Sequence, residues 1–449
     1  MPDHTPDPAR GGEVFAMDRA HVFHSWSAQQ ALSPLPIAAA EGSWVWDYDG
    51  HRYLDFSSQL INVNIGHQHP KVTAAIAAQA AKLTTLAPQH ACEVRGEAAR
   101  RIAALAPEGM NKVFFTNGGA DANENAIRMA RVHTGRPKVL SAYRSYHGNT
   151  GAAITSTGDP RRWPNEYATG HVHFFGPYLY RSPFWAQTAE QECERALAHL
   201  QQVIEFEGPA TIAALLMETI PGTAGVLVPP PGYLAGVREL CDRYGIVYIA
   251  DEVMCGFGRA GSWFAFQQHD VVPDLITFAK GVNSGYVPAG GVIISDEIAA
   301  TFAGRVFPGG LTYSGHPLAC AAIVATLDAM AEEGIPAHAA MIGTDVLGPG
   351  LRELASTHPV VGEARGLAVF WVLELVANRQ TREPLAPYGS SSEAMNALAA
   401  ECRRRGLLVL TTFNRLAVVP PCTVSPSEAK EGLALLDEAL SVADRYYQG

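Results

Sequence analysis

The sequence predicts an α/β protein, with a large domain on a mostly parallel sheet and a smaller α+β domain. Three observations carry that expectation. From about residue 65 to 325, short apolar runs alternate with helical patterns, as βα units do. After about residue 330 the pattern changes to helices with a few strands. The first sixty residues fit neither pattern and read as an arm. The expected division is an arm and small-domain segment over 1–64, the large domain over 65–328 and the small C-terminal domain over 329–449.

Within the arm, Trp44 to Leu54 reads as a small hairpin turning at Asp49-Gly50. The large domain's apolar runs include Val113–Thr116, Val139–Ala142, Ile212–Met217, Ile246–Ala250, Leu275–Ala279 and Val292–Ile294. Between them, Asp121–His133, Glu190–Phe206 and Gly232–Arg243 carry helical spacing. Further on, Leu367–Leu375 and Leu407–Leu410 read as strands, and a last helix is expected over Ser427–Tyr446, begun by Ser427 after Pro426. No internal repeat or low-complexity segment interrupts this order.

At 449 residues, 47% hydrophobic and 17% charged, the chain has the composition of a soluble globular protein large enough for more than one domain. Its net charge of −11 argues against nucleic acid or an acidic membrane surface as main partner. Seven cysteines without a Cys-x-x-Cys pair form no metal or redox pattern and suit a reducing compartment. Met1 to Gly12 lacks the basic start and apolar core of a secretory leader, and no run of about 20 apolar residues suggests a membrane span. The cytoplasm is the expected location.

Lys280 is one of only six lysines, and it ends the apolar run Leu275–Ala279. A desolvated amine there loses its proton easily and can form a Schiff base with an aldehyde. Alone, the residue reads more readily as a lysine whose stem snorkels to solvent. Thr116-Asn117-Gly118-Gly119-Ala120-Asp121 joins a strand to an amphipathic helix. Its glycines admit close backbone approach and the first helical turn offers free N–H groups, so either a phosphate or an ordinary turn fits. Asp251 closes the run Ile246–Ala250, where α/β folds bind ligands. A buried carboxylate there needs a cationic partner, such as a protonated pyridine nitrogen or a structural ion pair. Tyr146 follows another strand end and is placed to stack on a flat ring or to close the sheet. Gly256-Phe257-Gly258-Arg259-Ala260-Gly261 matches G-x-G-x-x-G but neither follows its strand directly nor opens a helix, which argues against dinucleotide binding.

In order and spacing these segments resemble the class III (omega) aminotransferases, pyridoxal-phosphate enzymes of fold type I, from about residue 20 to the C-terminus. The matching blocks are Asn117 to Glu124, Tyr146-His147-Gly148, Asp251-Glu252-Val253 with Gly256 to Arg259, Ala279-Lys280-Gly281 and Thr312 to Pro317. The resemblance implies pyridoxal 5'-phosphate held covalently by Lys280, which also carries the substrate's proton, with Asp251 paired to the pyridine nitrogen. It places Tyr146 and Val253 on the two ring faces. Gly118, Gly119 and Ala120 fall at the phosphate, His147 beside Tyr146, and Glu218 near the ring oxygen. Thr312 is expected to reach the phosphate of a neighbouring subunit, which implies a homodimer with a shared active site and leaves a tetramer open. No metal is implied.

The implied reaction moves an amino group to a 2-oxo acid, pyruvate or 2-oxoglutarate, in two half-reactions. Two departures concern the substrate. Family members acting on ornithine or 4-aminobutyrate carry a Glu in the Gly-x-Ala-Gly segment, paired with a mobile arginine; here Gly222-Thr223-Ala224-Gly225 has Thr223. The loop before Pro420-Pro421 is short, and Arg415 is the nearest candidate to bind a carboxylate. Val22 to Gln29 and Ser57 to Asn64 are most similar to members acting on taurine and related omega-amino acids. Trp26, Leu60 and Ile61 are therefore the expected pocket residues, with Arg162 as a further anion-binding candidate. A decarboxylase or aminomutase would use the same cofactor groups, and a non-catalytic module that kept the fold is a further alternative.

Overall fold

The computed structural model describes residues 5–165 and 168–449. Its centre is a seven-stranded sheet. The first three strands of the chain, β1 (Ile37–Glu41), β2 (Trp44–Asp47) and β3 (Arg52–Asp55), precede it and include the expected hairpin. The central sheet comprises β4 (Lys112–Thr116), β5 (Lys138–Ala142), β6 (His171–Phe174), β7 (Ile212–Glu218), β8 (Val247–Asp251), β9 (Leu275–Phe278) and β10 (Gly290–Ile294). Its order is β4-β10-β9-β8-β7-β5-β6. All neighbours from β9 to β6 pair in parallel, while β10 runs antiparallel to both β9 and β4. The β7, β8 and β9 residues are wholly buried, which is why they read as unbroken apolar runs.

The helices Gly119–Thr134, Ala189–Glu207 and Tyr233–Tyr244 fall where helical spacing was expected. The C-terminal strands are β11 (Val361–Leu367), β12 (Phe370–Asn378), β13 (Glu383–Pro384), β14 (Leu407–Leu408), β15 (Leu410–Thr412) and β16 (Arg415–Val418). β14 pairs in parallel with β3, so the N-terminal sheet is completed from the far end of the chain.

Two expectations need correction, and two further elements escaped the sequence patterns. Leu367–Leu375 is not one strand: Leu367 pairs with Phe370 across a tight turn in which Ala368 is left-handed (φ 47°). The apolar run Leu367–Leu375 continues through the turn into the buried strand β12 and hides it. The last helix begins one residue earlier, at Pro426, and ends at Ala443. Ser425 caps it by accepting the Glu428 N–H (3.2 Å), and the Glu428 carboxylate accepts the Ser425 N–H (2.8 Å). Proline is favoured at the first helical position because its missing N–H would be unpaired there. The edge strand β6 escapes the apolar pattern because His171 and His173 interrupt it. The arm carries a helix, Pro8–His21, capped by Asp7.

Among the described residues, no helix is long and apolar enough to cross a membrane.

Candidate active site

Three parallel strands end side by side. Glu218 at the end of β7 pairs in register with Asp251 at the end of β8, and Asp251 with Thr277 in β9. Side chains at such carboxyl ends face the crevice where open α/β sheets take ligands. Lys280 follows two residues after β9 and opens a short turn, Lys280–Val282, in left-handed backbone (φ 41°). Gly281 is required beside it, since a Cβ there would meet Asn64 Nδ2 at 2.3 Å.

A cavity of about 320 Å³ gathers Lys280, Asp251, Glu218, Gly118, Gly119, Ala120, Tyr146, His147, Val253 and Leu60. The helix Gly119–Thr134 points its N-terminus into it, bringing free backbone N–H groups and a favourable dipole. Val253 packs against the glycine turn so closely that a Cβ on Gly119 would meet its Cγ1 at 2.9 Å.

Asp251 is buried and held on three sides. Its Oδ2 accepts from His147 Nδ1 (2.7 Å) and Asn123 Nδ2 (2.8 Å), and its Oδ1 from the Val253 N–H (3.1 Å). Among the described residues no lysine or arginine pairs with it. Buried charge without such a partner favours a cation in the cavity, and a protonated pyridine nitrogen meets that need. Burial holds the Lys280 ammonium below its ordinary proton affinity, against the pull of Glu218 and Asp251. Burial raises Glu218, whose carboxylate accepts from the Tyr146 N–H (3.1 Å) and the Gly222 N–H (2.8 Å). The Arg161 guanidinium lies over the Tyr146 ring, 3.6 Å from its centroid.

Several expected residues lie elsewhere. The turn around Ser58–Ile61 holds Ser58, Gln59 and Ile61 in left-handed backbone. Leu60 therefore reaches the cavity while Ile61 is buried in a cluster with Ile220 and Phe370. Trp26 is 63% exposed and does not line the cavity. Thr312 is exposed and also outside it. Arg162 lies near the Tyr143 ring (5.5 Å) and does not line it either. Arg415 is buried, donates to the Ala224 carbonyl, and faces the Gly222–Gly225 segment rather than the cavity.

Sequence reasoning gave no role to Asn123. It donates to Asp251 and to the His147 carbonyl (2.8 Å), and its own carbonyl accepts from Thr277 Oγ1 (2.8 Å). The available signal was a polar residue on the helix face otherwise buried through Ala122, Ala126 and Ala130. The G-x-G-x-x-G segment is structural. Its Arg259 is fully buried and bonds to the Val369 carbonyl (3.2 Å), the Pro420 carbonyl, Ser58 Oγ (3.1 Å) and Asn64 Oδ1 (2.9 Å).

This fold, with an amine, a fixed carboxylate and a helix N-terminus around one cavity, defines a pyridoxal-phosphate enzyme of fold type I. The chain belongs to the class-III aminotransferases, whose family model matches residues 26–440. It is 37% identical to the putrescine–pyruvate aminotransferase of Pseudomonas aeruginosa, over 96% of each chain. It is 33% identical to the taurine–pyruvate aminotransferase of Rhodobacter capsulatus, over 97% of this chain and 98% of the relative. The solved taurine:2-oxoglutarate aminotransferase of Bifidobacterium kashiwanohense, in complex with pyridoxal phosphate and glutamate, superposes with a TM-score of 0.95. That protein is 42% identical, and the match covers 98% of this chain and 99% of the other. The family's cofactor is pyridoxal phosphate, and the donor set of the cavity fits it.

Proposed function

We propose that this aminotransferase moves an amino group from an omega-amino acid or amine of the taurine or beta-alanine type to pyruvate or 2-oxoglutarate, with ping-pong kinetics. The observation that carries this reading is the Lys280 amine, its proton affinity lowered by burial, in one cavity with Asp251 and Glu218. Pyridoxal phosphate, when bound, supplies an aldehyde for amine capture and a ring that takes up electrons as a proton leaves the substrate carbon.

The side chains do the rest. Lys280 holds the cofactor, and its freed amine takes the proton from the substrate carbon and returns it. Asp251 keeps the pyridine nitrogen protonated, and His147 and Asn123 hold the carboxylate in place. Backbone N–H groups at Gly118, Gly119 and Ala120 bind the phosphate. Tyr146 and Val253 flank the ring, and Glu218 sits near the ring oxygen. In this reading Thr312 acts on the phosphate of a second copy, which makes the active form at least a homodimer, and Leu60 borders the substrate. The cytoplasm suits seven free cysteines.

The related enzymes named for putrescine, taurine, pyruvate and 2-oxoglutarate support this range of substrates. The test is a panel of taurine, beta-alanine and putrescine against both oxo acids. A new amino acid with parallel double-reciprocal plots is expected, whereas CO₂ release without a new amino acid would favour a decarboxylase.

A further inference from the structure

Beside the cofactor cavity lies a narrower one of about 80 Å³, with room for a small acid group and not for a second cofactor. Glu218 forms part of both walls. Two arginines line the narrower space, Arg144 and Arg181. Arg181 is engaged, pairing with Glu374 and donating to the Arg382 carbonyl (2.6 Å). Arg144 is not: among the described residues its guanidinium makes no hydrogen bond or ion pair. It rests near the rings of Tyr178 (5.0 Å) and Tyr388 (5.6 Å).

The backbone that presents Arg144 is strained and locked. Its φ is 71°, in the left-handed region that side-chain-bearing residues avoid. Its N–H donates to the Gly158 carbonyl (2.8 Å), and that strand of chain passes so near that a Cβ on Gly158 would lie 2.1 Å from the Ala142 carbonyl oxygen. Strain held this firmly two residues before Tyr146 points to a functional placement.

The surroundings are short of negative charge. Arg181 and Arg365 pair with Glu374, and Arg365 also with Glu363, while Arg144 and Arg415 pair with neither. Among the described residues, the one carboxylate in the cavity wall is Glu218. The Nη2 atoms of Arg181 and Arg365 are buried without a hydrogen-bond partner. Burial, with Arg365 and Arg144 nearby, lowers Arg415 to about 10. Excess buried cations are costly, and an incoming anion relieves them. Arg415 itself lines neither cavity.

We propose that Arg144 is a specificity-determining residue that binds the acid group, carboxylate or sulfonate, of an acidic substrate in the cavity behind Glu218. This rests on the aminotransferase reading above.

The test compares Arg144→Met, which keeps a long stem against the two tyrosines, with Arg144→Lys, which keeps the charge. Steady-state KM and kcat are measured for taurine, pyruvate, 2-oxoglutarate and putrescine, which has no acid group. Arg144→Met is expected to raise KM for acid-bearing substrates about tenfold or more, with KM for putrescine unchanged and partial recovery in Arg144→Lys. A rise for taurine alone identifies the donor's sulfonate, and a rise for the oxo acids alone the acceptor's carboxylate. Unchanged KM for every acid overturns the proposal, and so does an equal rise for putrescine.

A binding arm needs no turnover: glutarate and ethanesulfonate should raise the melting temperature of the holoenzyme and not of its Arg144→Met variant. An inactive wild type that still shows this Arg144-dependent binding would sink the reaction and keep the site. An active wild type whose anion binding ignores Arg144 would sink the site alone.

Discussion

His147 Nδ1 lies 2.7 Å from Asp251 Oδ2, and both side chains are buried. The other ring nitrogen, Nε2, is buried with no hydrogen-bond partner. A neutral ring that donates from Nδ1 satisfies this geometry, whereas a protonated ring would leave an N–H unpaired. His147 thus holds Asp251 by a donated hydrogen bond, and among the described residues no lysine or arginine pairs with that carboxylate. Asp251→Asn is expected to lower kcat on the order of 10²–10³-fold while the protein still folds and binds cofactor. Unchanged kcat would remove Asp251 from the reaction. His147→Phe deletes one donor only, and a loss of roughly tenfold is expected in the same assay.

Glu374 is 1% exposed and sits between Arg181 and Arg365. Burial alone would raise its carboxyl, but the two guanidinium groups and the Tyr178 hydroxyl hold it at about 2, below the ordinary 4.5. A depressed carboxyl stabilises the fold fully above the unfolded value and loses that contribution as pH falls from about 4.5 through 2. Glu374→Gln is expected to cost about 3 kcal/mol at neutral pH, with the gap to wild type closing below pH 4.5. Denaturant titrations at several pH values check this, and a gap independent of pH would contradict it.

The Lys280 amine loses its proton below the ordinary 10.5 because burial disfavours the charged form. Only the neutral amine captures an aldehyde. The rate at which the apoenzyme takes up cofactor should therefore rise with pH through a midpoint below 10.5. A stopped-flow profile that follows an ordinary lysine would contradict it.

Thr312 is exposed on the single chain, as a residue destined for another subunit's site would be. On the proposed homodimer, Thr312→Ala should weaken cofactor binding about tenfold without changing the sedimentation coefficient. A monomeric holoenzyme with full cofactor affinity would refute the shared site.

How much was legible in the sequence depended on the physical signal. β7, β8 and β9 are buried on both faces, so their composition alone marks them. Glu218 was reached only through the family resemblance, whereas Asp251 and Lys280, which close or follow β8 and β9, stood out because each is a charge at the end of an apolar run. β6 did not, since an edge strand tolerates His171 and His173. The turn at Ala368 was hidden because neither glycine nor asparagine marks it. Side-chain direction was the least legible property. Leu60 and Ile61 are neighbours in sequence, yet only the first reaches the cavity, because a left-handed turn separates them. Arg415 was expected from its position near Pro420, but it is buried against Ala224. Asn123 was overlooked because its partners Asp251 and Thr277 are more than a hundred residues away.

The central claim is that Lys280 is both the cofactor's anchor and the proton carrier. Lys280→Ala, purified with pyridoxal phosphate, tests it by visible absorbance and by transamination of taurine with pyruvate or 2-oxoglutarate. The variant should bind the cofactor without the absorbance band of the lysine-bound form and should lose transamination. Retention of both the band and the activity would contradict the account.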